Sequence, residues 1–489
     1  MKENSNLDIV KDNQLKEQAN AQVNEFSSVS KEDPFRLHYH VMPPVGLLND
    51  PNGFIYFQGK YHLFFQWNPF ATDHSLKYWA HVTSTDLFNW EWQPIALAPS
   101  DWFDKDGCYS GSAIEHEDKM YLFYTGNVRA QNGERESYQC LAISEDGIDF
   151  KKRGPLFTVP DGYTAHFRDP KVWRECDGWY LVIGAQTVEG SGCVLLYRSM
   201  DLINWDQVGE ISTQDGDEFG YMWECPDFFY LGDKDVLMFS PQGIPAEGFH
   251  YQNIYQTGYL VGGLDRDTGG FCHQPFVELD AGFDFYAPQT TKDIKGRRLL
   301  FGWMGLPEED EAYHPTKEYG WVHAMTLPRE LSVKDGRLYQ QPVEELIALR
   351  ENEVTREHIT IVNERVQVDS GNGKAFELML DVQSFVGSSF ILNLDGNTSL
   401  AFDKIENTLT LFRKSIKTNQ QESRTISLTN VVDLQLFVDT SSLELFVNQG
   451  AFVFTSRLFD VLSKRDCYLE VDGQMNCSIR SWNLRQVTK

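Results

Sequence analysis

Among the 71 acidic residues of this chain, three are set apart by their neighbours. Asp50 lies in Leu47-Leu-Asn-Asp-Pro-Asn-Gly53, Asp169 in His166-Phe-Arg-Asp-Pro-Lys171 and Glu224 in Tyr221-Met-Trp-Glu-Cys-Pro-Asp227. In each case a proline follows the acid directly or after one residue, which restricts the backbone and hence the direction of the carboxylate. Alone, each acid reads equally well as an Asx turn or a capped strand end. Together, paired carboxylates among aromatics are the equipment of glycoside hydrolysis, where one acid protonates the leaving oxygen and the other attacks or guides water. Glu224, between Trp223 and Cys225, has the more apolar neighbours, so desolvation is expected to raise its pKa and suit it as the acid. Asp50, flanked by the amides of Asn49 and Asn52, is expected to stay ionised. Trp67, Trp79, Tyr109, Trp223, Phe285 and Trp303 offer faces for sugar stacking, and Arg168 is a donor placed for substrate.

The elements that must position these acids repeat along the chain. Tyr61, Tyr121, Tyr180, Leu237 and Leu299 each sit in a short Tyr/Phe/Leu-rich strand after a Gly, Asp or Lys turn, at intervals of about 60 residues. A second element, Ser84-Thr-Asp-Leu-Phe-Asn-Trp90, recurs as Ser144-Glu-Asp-Gly-Ile-Asp-Phe150 and Ser199-Met-Asp-Leu-Ile-Asn-Trp205 and reads as a tight turn. Five such units that cannot bury both faces alone predict a five-bladed β-propeller. Asp50, Ser110 and Asp169 each stand eleven residues before their marker and Glu224 thirteen, so three blades should send a carboxylate into one central funnel.

Beyond Leu331 the repeat fades. Alternating stretches such as Phe376-Glu-Leu-Met-Leu380 and Leu443-Glu-Leu-Phe-Val447 predict an antiparallel sandwich. The expected division of this all-β chain is a helical extension over 1–34, the propeller over 35–335, a linker over 336–351 and the sandwich over 352–489. Residues Leu7 to Phe26 have the pattern of a weakly amphipathic helix packed on the main domain.

With 489 residues and a net charge of −28, the chain should repel phosphate backbones and anionic lipid surfaces, which argues against nucleic-acid and membrane partners. The eight cysteines show no CxxC or other metal-ligand spacing, so neither disulfides nor a metal nor any other cofactor is expected. The polar start, Met1 to Ser30, has no apolar signal core, and cytoplasmic residence is the expectation.

Asn49-Asp-Pro-Asn-Gly53, Phe167-Arg-Asp-Pro170 and Trp223-Glu-Cys-Pro-Asp227 resemble the three signature motifs of glycoside hydrolase family 32. Phe64-Phe-Gln-Trp-Asn-Pro69, Trp79-Ala-His81, Tyr109-Ser-Gly-Ser-Ala113, Phe123-Tyr-Thr-Gly126, Phe283-Asp-Phe-Tyr-Ala-Pro-Gln289 and Ser441-Ser-Leu-Glu-Leu-Phe-Val-Asn448 extend the likeness from about Arg36 to the end. The resemblance implies a propeller followed by a sandwich and a double displacement with retention. It assigns Asp50 as nucleophile, Glu224 as acid/base and Asp169 as transition-state stabiliser. It also puts Leu47, Leu48, Asn49, Gln66, Trp79, Tyr109, Ser110, Arg168, Asp284 and Trp303 at the substrate. Leu47 and Ala80 depart from the Trp and Gly common in the family. Gly46 to Gly53, Tyr163 to Pro170 and the polar start resemble most the bacterial sucrose-6-phosphate hydrolase branch, implying a small sugar substrate, sucrose-6-phosphate or sucrose. Lys77, Arg129, Arg135, His314 and Lys317 are the cations that could receive a phosphate. Three other readings stay open: action mainly on sucrose or short fructans, an inverting propeller glycosidase, and a carbohydrate-binding propeller without catalysis.

Overall fold

The computed structural model describes residues 4–212, 219–307, 310–371, 374–460 and 465–488. Five antiparallel sheets begin with the inner strands β1 (Gly46–Phe57), β2 (Cys108–His116), β3 (Tyr163–Glu175), β4 (Met222–Leu231) and β5 (Tyr286–Lys292). These inner strands touch in a closed ring, β1 to β2 to β3 to β4 to β5 and back to β1, which makes the five-bladed propeller. Each marker residue lies on the strand hydrogen-bonded to the inner one, so the repeat in the sequence is the second strand of every blade. The Ser-x-Asp segments are the tight turns expected. Asp86, Asp146 and Asp201 each accept backbone N–H bonds from two residues just downstream.

Blades cohere through apolar layers between neighbouring sheets. Phe64 and Trp79 meet Leu122 and Tyr124, Phe123 meets Leu181 and Leu195, and Val182 meets Leu237 and Phe239. Between the fifth and first blades, Leu299 and Phe301 pack with Leu63 and Phe65. A two-residue strand, Trp321–Val322, pairs in parallel with β1 and helps fasten that seam.

Helix α1 (Asn4–Lys31) runs longer at both ends than its apolar pattern indicated. Leu15, Ala19 and Val23, four residues apart, form the face laid on the seam between first and fifth blades. Its last turn has no such stripe and is held by a polar bond instead, Ser30 Oγ donating to the Pro44 carbonyl at 2.6 Å. Arg337–Pro342, inside the stretch read as a linker, is a strand paired with Arg329–Lys334 in the fifth sheet. Only the 3₁₀ turn Glu344–Leu349 then separates it from Arg350–Val362, the first strand of the C-terminal unit. That unit is a continuous ten-stranded antiparallel sheet folded around its own core of Leu378, Leu411, Leu436 and Phe454. It is the sandwich expected.

Propeller and sandwich share a buried charged junction. The Arg329 guanidinium, fully enclosed, donates to Glu444 Oε2 at 2.7 Å, Thr455 Oγ1 at 2.6 Å and Asp280 Oδ2 at 3.1 Å. Glu444 also accepts from the Leu327 N–H at 2.7 Å and faces His40 Nε2 at 3.1 Å. Breaking one partner of such a set strands the others without water. Glu444→Ala is therefore expected to destabilise the protein by about 3–5 kcal/mol in urea unfolding followed by tryptophan fluorescence. A change below about 1 kcal/mol would show that the junction is not what couples the two units.

Candidate functional site

Every inner strand breaks register at an equivalent place. The ladder skips between Leu48 and Pro51 in β1, Cys108 and Gly111 in β2, Arg168 and Lys171 in β3, Glu224 and Asp227 in β4, and Tyr286 and Gln289 in β5. A bulge re-aims side chains that a regular pleat would send alternately into the two flanking blades. In three of them a residue with positive φ precedes proline: Asp169 at 70°, Cys225 at 49° and Ala287 at 48°. Such a backbone persists only where surrounding contacts hold it, and the prolines stiffen it further. Asp50 reaches the same ring by a different route. Its strand carries a second bulge between Asn52 and Ile55, offset because Tyr61 stands one residue nearer its hairpin turn than Tyr121 and Tyr180 do theirs, so the shared spacing of eleven is a cancellation of two differences.

The bulges surround a cavity of roughly 300 Å³ lined by Asp50, Asp169 and Glu224. Glu224 is saturated with donors. Its Oε1 accepts from Arg168 Nε at 3.0 Å and Nη2 at 2.7 Å, its Oε2 from Gln242 Nε2 at 2.8 Å and the Tyr286 hydroxyl at 2.6 Å. The apolar setting expected from Trp223 and Cys225 is not what surrounds it, because strand alternation sends Trp223 away to stack on Phe239 with ring centroids 4.1 Å apart. Asp50 accepts from Ser110 Oγ at 2.5 Å and Asn49 Nδ2 at 3.1 Å. Asn52 contributes nothing to it, its Oδ1 being taken by the Gly111 N–H at 3.2 Å. Asp169 Oδ2 accepts from the Cys225 N–H at 3.0 Å, and the Cys225 thiol lies 3.6 Å from both Asp169 and Asp50. Burial, reinforced by the charges of Glu224 and Asp50, pushes the Asp169 carboxyl upward despite Arg168 beside it.

Of the residues expected at the substrate, Asn49, Gln66, Tyr109, Arg168 and Trp303 line the cavity. Ser110 reaches it through its bond to Asp50. Leu47, Leu48 and Trp79 do not line it. All three side chains are fully buried, and the Trp79 indole supports the wall by donating to the Tyr109 carbonyl at 3.0 Å. Asp284 stands elsewhere: it precedes β5, pairs with Arg413 and accepts the Arg457 N–H at 2.8 Å on the sandwich side. The side chain of that motif that enters the cavity is Tyr286. Its signal was present in the spacing, since Tyr286 stands thirteen residues before Leu299 just as Glu224 does before Leu237. His166 and Tyr221, which stand three residues before Asp169 and Glu224, also line the cavity, as do Gln242 and Tyr255, which no pattern marks.

Of the five candidate cations, Lys77 and Arg135 line the cavity. His314 is buried against Thr316 at 2.7 Å, Lys317 donates to the Thr72 carbonyl at 3.3 Å, and Arg129 is exposed outside the lining. Arg168 is committed to Glu224. The Arg135 guanidinium, half-buried 5.8 Å above the Tyr109 ring, has neither a hydrogen bond nor an ion pair among the described residues. His166 Nδ1 accepts from Arg168 Nη1 at 3.0 Å, and burial together with the two neighbouring arginines pulls the imidazole pKa to about 4. Among the described residues no His, Cys, Asp and Glu cluster suits a metal ion, and no helix is long and apolar enough to cross a membrane.

The family of glycosyl hydrolases family 32 matches this chain twice, its N-terminal domain over residues 40–342 and its C-terminal domain over 345–483. The sucrose-6-phosphate hydrolase of Bacillus subtilis (strain 168) is 47% identical over 476 residues, covering 97% of this chain and 99% of that protein. Among solved structures, the sucrose-6-phosphate hydrolase of Lactobacillus gasseri superposes with a TM-score of 0.87 at 32% identity, over 96% of this chain and 97% of that one. A Bombyx mori β-fructofuranosidase variant in complex with sucrose gives 0.83 at 35% identity, over 97% and 99%. With both domains matched in order and the relatives aligned almost end to end, this chain belongs to glycosyl hydrolase family 32 and is a glycoside hydrolase.

Proposed function

We propose that this enzyme cleaves the terminal β-D-fructofuranoside bond of sucrose-6-phosphate and of sucrose with retention of configuration. The observation that carries the reading is the convergence of Asp50, Asp169 and Glu224 from three bulged inner strands on one polar cavity. The names of the Bacillus and Lactobacillus relatives and the sucrose bound to the Bombyx mori enzyme support the substrate.

In this reading the Asp50 carboxylate attacks C2 of the fructosyl unit while the bond from C2 to the glycosidic oxygen breaks. Glu224, entering as the acid, gives its proton to that departing oxygen and releases the glucosyl half. Water then attacks C2, its proton passes to Glu224, the ester to Asp50 breaks and fructose leaves. The proton on Glu224 has a place to sit, because the Tyr286 hydroxyl at Oε2 can turn from donor to acceptor. Arg168, fixed on Oε1, stabilises the carboxylate each time the proton is gone. Asp169 offers its Oδ1 and Oδ2 to the fructose hydroxyls and strengthens those bonds as positive charge grows at C2. Arg135 is the cavity cation with no ion pair among the described residues, and the phosphate of the glucosyl half is its partner in this reading.

Retention is read directly from the anomer released first. Proton NMR at early turnover is expected to show β-D-fructofuranose, and initial release of the α anomer would establish an inverting mechanism instead. Glu224→Gln should lower kcat by about 10²–10⁴-fold, and Asp50→Ala should abolish hydrolysis with an unchanged circular dichroism spectrum. Retained turnover in Asp50→Ala would leave only a carbohydrate-binding role for the site. For the phosphate, Arg135→Gln should reduce kcat/KM on sucrose-6-phosphate by about 10–100-fold, the value of one charge-assisted contact. On sucrose the same variant should stay within about 2-fold of the wild type, and equal losses on both sugars would remove Arg135 as the phosphate partner.

A further inference from the structure

The side-chain amide of Asn49 has two ends of nearly the same shape and opposite hydrogen-bonding sense. Which end faces Asp50 decides whether that carboxylate meets a donor or a second acceptor. Lys77 imposes the choice. Its ammonium is buried, has only protons to give, and lies 2.6 Å from Asn49 Oδ1. With the oxygen held there, Asn49 Nδ2 is turned to Asp50 Oδ1 at 3.1 Å and to Gln66 Oε1 at 2.5 Å.

Lys77 is itself gripped from the far side. His74 Nδ1 lies 2.8 Å from the ammonium, and His74 Nε2 lies 2.8 Å from Glu311 Oε1, which also meets His323 Nε2 at 2.8 Å. A proton on His74 Nε2 directed at Glu311 leaves Nδ1 as the lone pair that receives Lys77. A chain of hydrogen bonds therefore runs from the 3₁₀ turn Glu311–Tyr313 through His74, Lys77 and Asn49 to Asp50. Each link has a fixed polarity.

We propose that Lys77 is a positioning residue for the hydrolysis: through Asn49 its ammonium fixes the direction of the Asp50 carboxylate and keeps a positive charge behind it. The proposal rests on the reading of Asp50 as the nucleophile. A nucleophile misplaced by about 1 Å loses about 10²-fold in rate, so the reward for fixing it appears in turnover rather than in substrate binding. The groups facing Lys77 are Asp50, Glu311 and Asp73, with His74 between. Burial draws the ammonium down to about 8 against the attraction of those three carboxylates. The positive charge is therefore present at neutral pH and lost as the pH rises through that value.

The test compares wild type and Lys77→Met on sucrose and on its 6-phosphate, with folding checked by thermal unfolding. Expected is a fall in kcat of about 10–100-fold on both sugars alike, with KM within about 3-fold. The wild-type kcat should also decline above about pH 8, and that limb should be missing in Lys77→Met. If the Met variant does not fold, Lys77→Gln replaces it. Its amide can still donate to Asn49 without the charge, and an intermediate kcat on both sugars is expected. An unchanged kcat in a folded variant, a loss confined to the phosphorylated sugar, or a flat wild-type kcat to pH 10 would each overturn the proposal. A wild type that turns over neither sugar overturns the reading of Asp50 as well, whereas an active wild type indifferent to Lys77 overturns this proposal alone.

Discussion

Three carboxylates in one cavity repel one another and have lost part of their water, and this constraint organises the site outward from its centre. Each acid is compensated differently. Glu224 has a guanidinium on one oxygen and two neutral donors on the other. Asp50 has a hydroxyl and an amide, with the ammonium one residue further back. Asp169 has mainly a backbone N–H and is the acid driven toward its protonated form. These differences of environment separate the acids chemically although all three face the same space. The one with a rigid cation at hand can cycle its proton, and the one held by neutral donors keeps its lone pairs aimed.

Such compensation requires strands that do not slip, which ties the site to the frame. A bulge leaves backbone groups unpaired and places Asp169, Cys225 and Ala287 in a conformation few side chains adopt. The blades resist relaxation because each inner strand is wedged between two neighbours and the ring has no free edge there. The sandwich adds a second brace. Arg329 belongs to the fifth sheet and Glu444 to the sandwich, so the blade that supplies Tyr286 is tied to the C-terminal unit by a buried ion pair. Asp284, whose sequence neighbourhood suggested substrate, belongs to this brace through Arg413.

What the sequence disclosed follows the same division between backbone pattern and side-chain surroundings. The blade count was legible because every blade repeats a hairpin with apolar spacing, and Pro after an acid marked the bulges. The residues that fail are those whose fate depends on three-dimensional neighbours. Trp223 looked like an apolar wall for Glu224, yet residues adjacent along a strand point to opposite faces. Leu48 lies beside Asn49 in the chain and faces the core for the same reason, whereas Leu47 and Trp79 stand two places from the nearest cavity residue and are buried as well. Gln242 was invisible because it ends its strand outside any motif, and His166, though it stands in the motif of Asp169, was passed over because only the acid and Arg168 there were read as chemistry. Tyr286 was recoverable: an offset used for acids alone passed over the phenol at the equivalent place in the fifth blade.

The distribution of cations resolves an apparent conflict between a net charge of −28 and an anionic substrate. Charges separated by more than the Debye length, about 8 Å at physiological ionic strength, are largely screened, so the global excess of acid acts weakly inside the cavity. What counts there is which local cation is already spent. Arg168 is consumed by Glu224, and Lys77 by Asn49 and His74. Among the described residues Arg135 is engaged by nothing but the face of Tyr109. Two cations are engaged in ordering the acids and one is not, so the same cavity can hold its carboxylates in place and, in the proposed function, still offer an anion a partner.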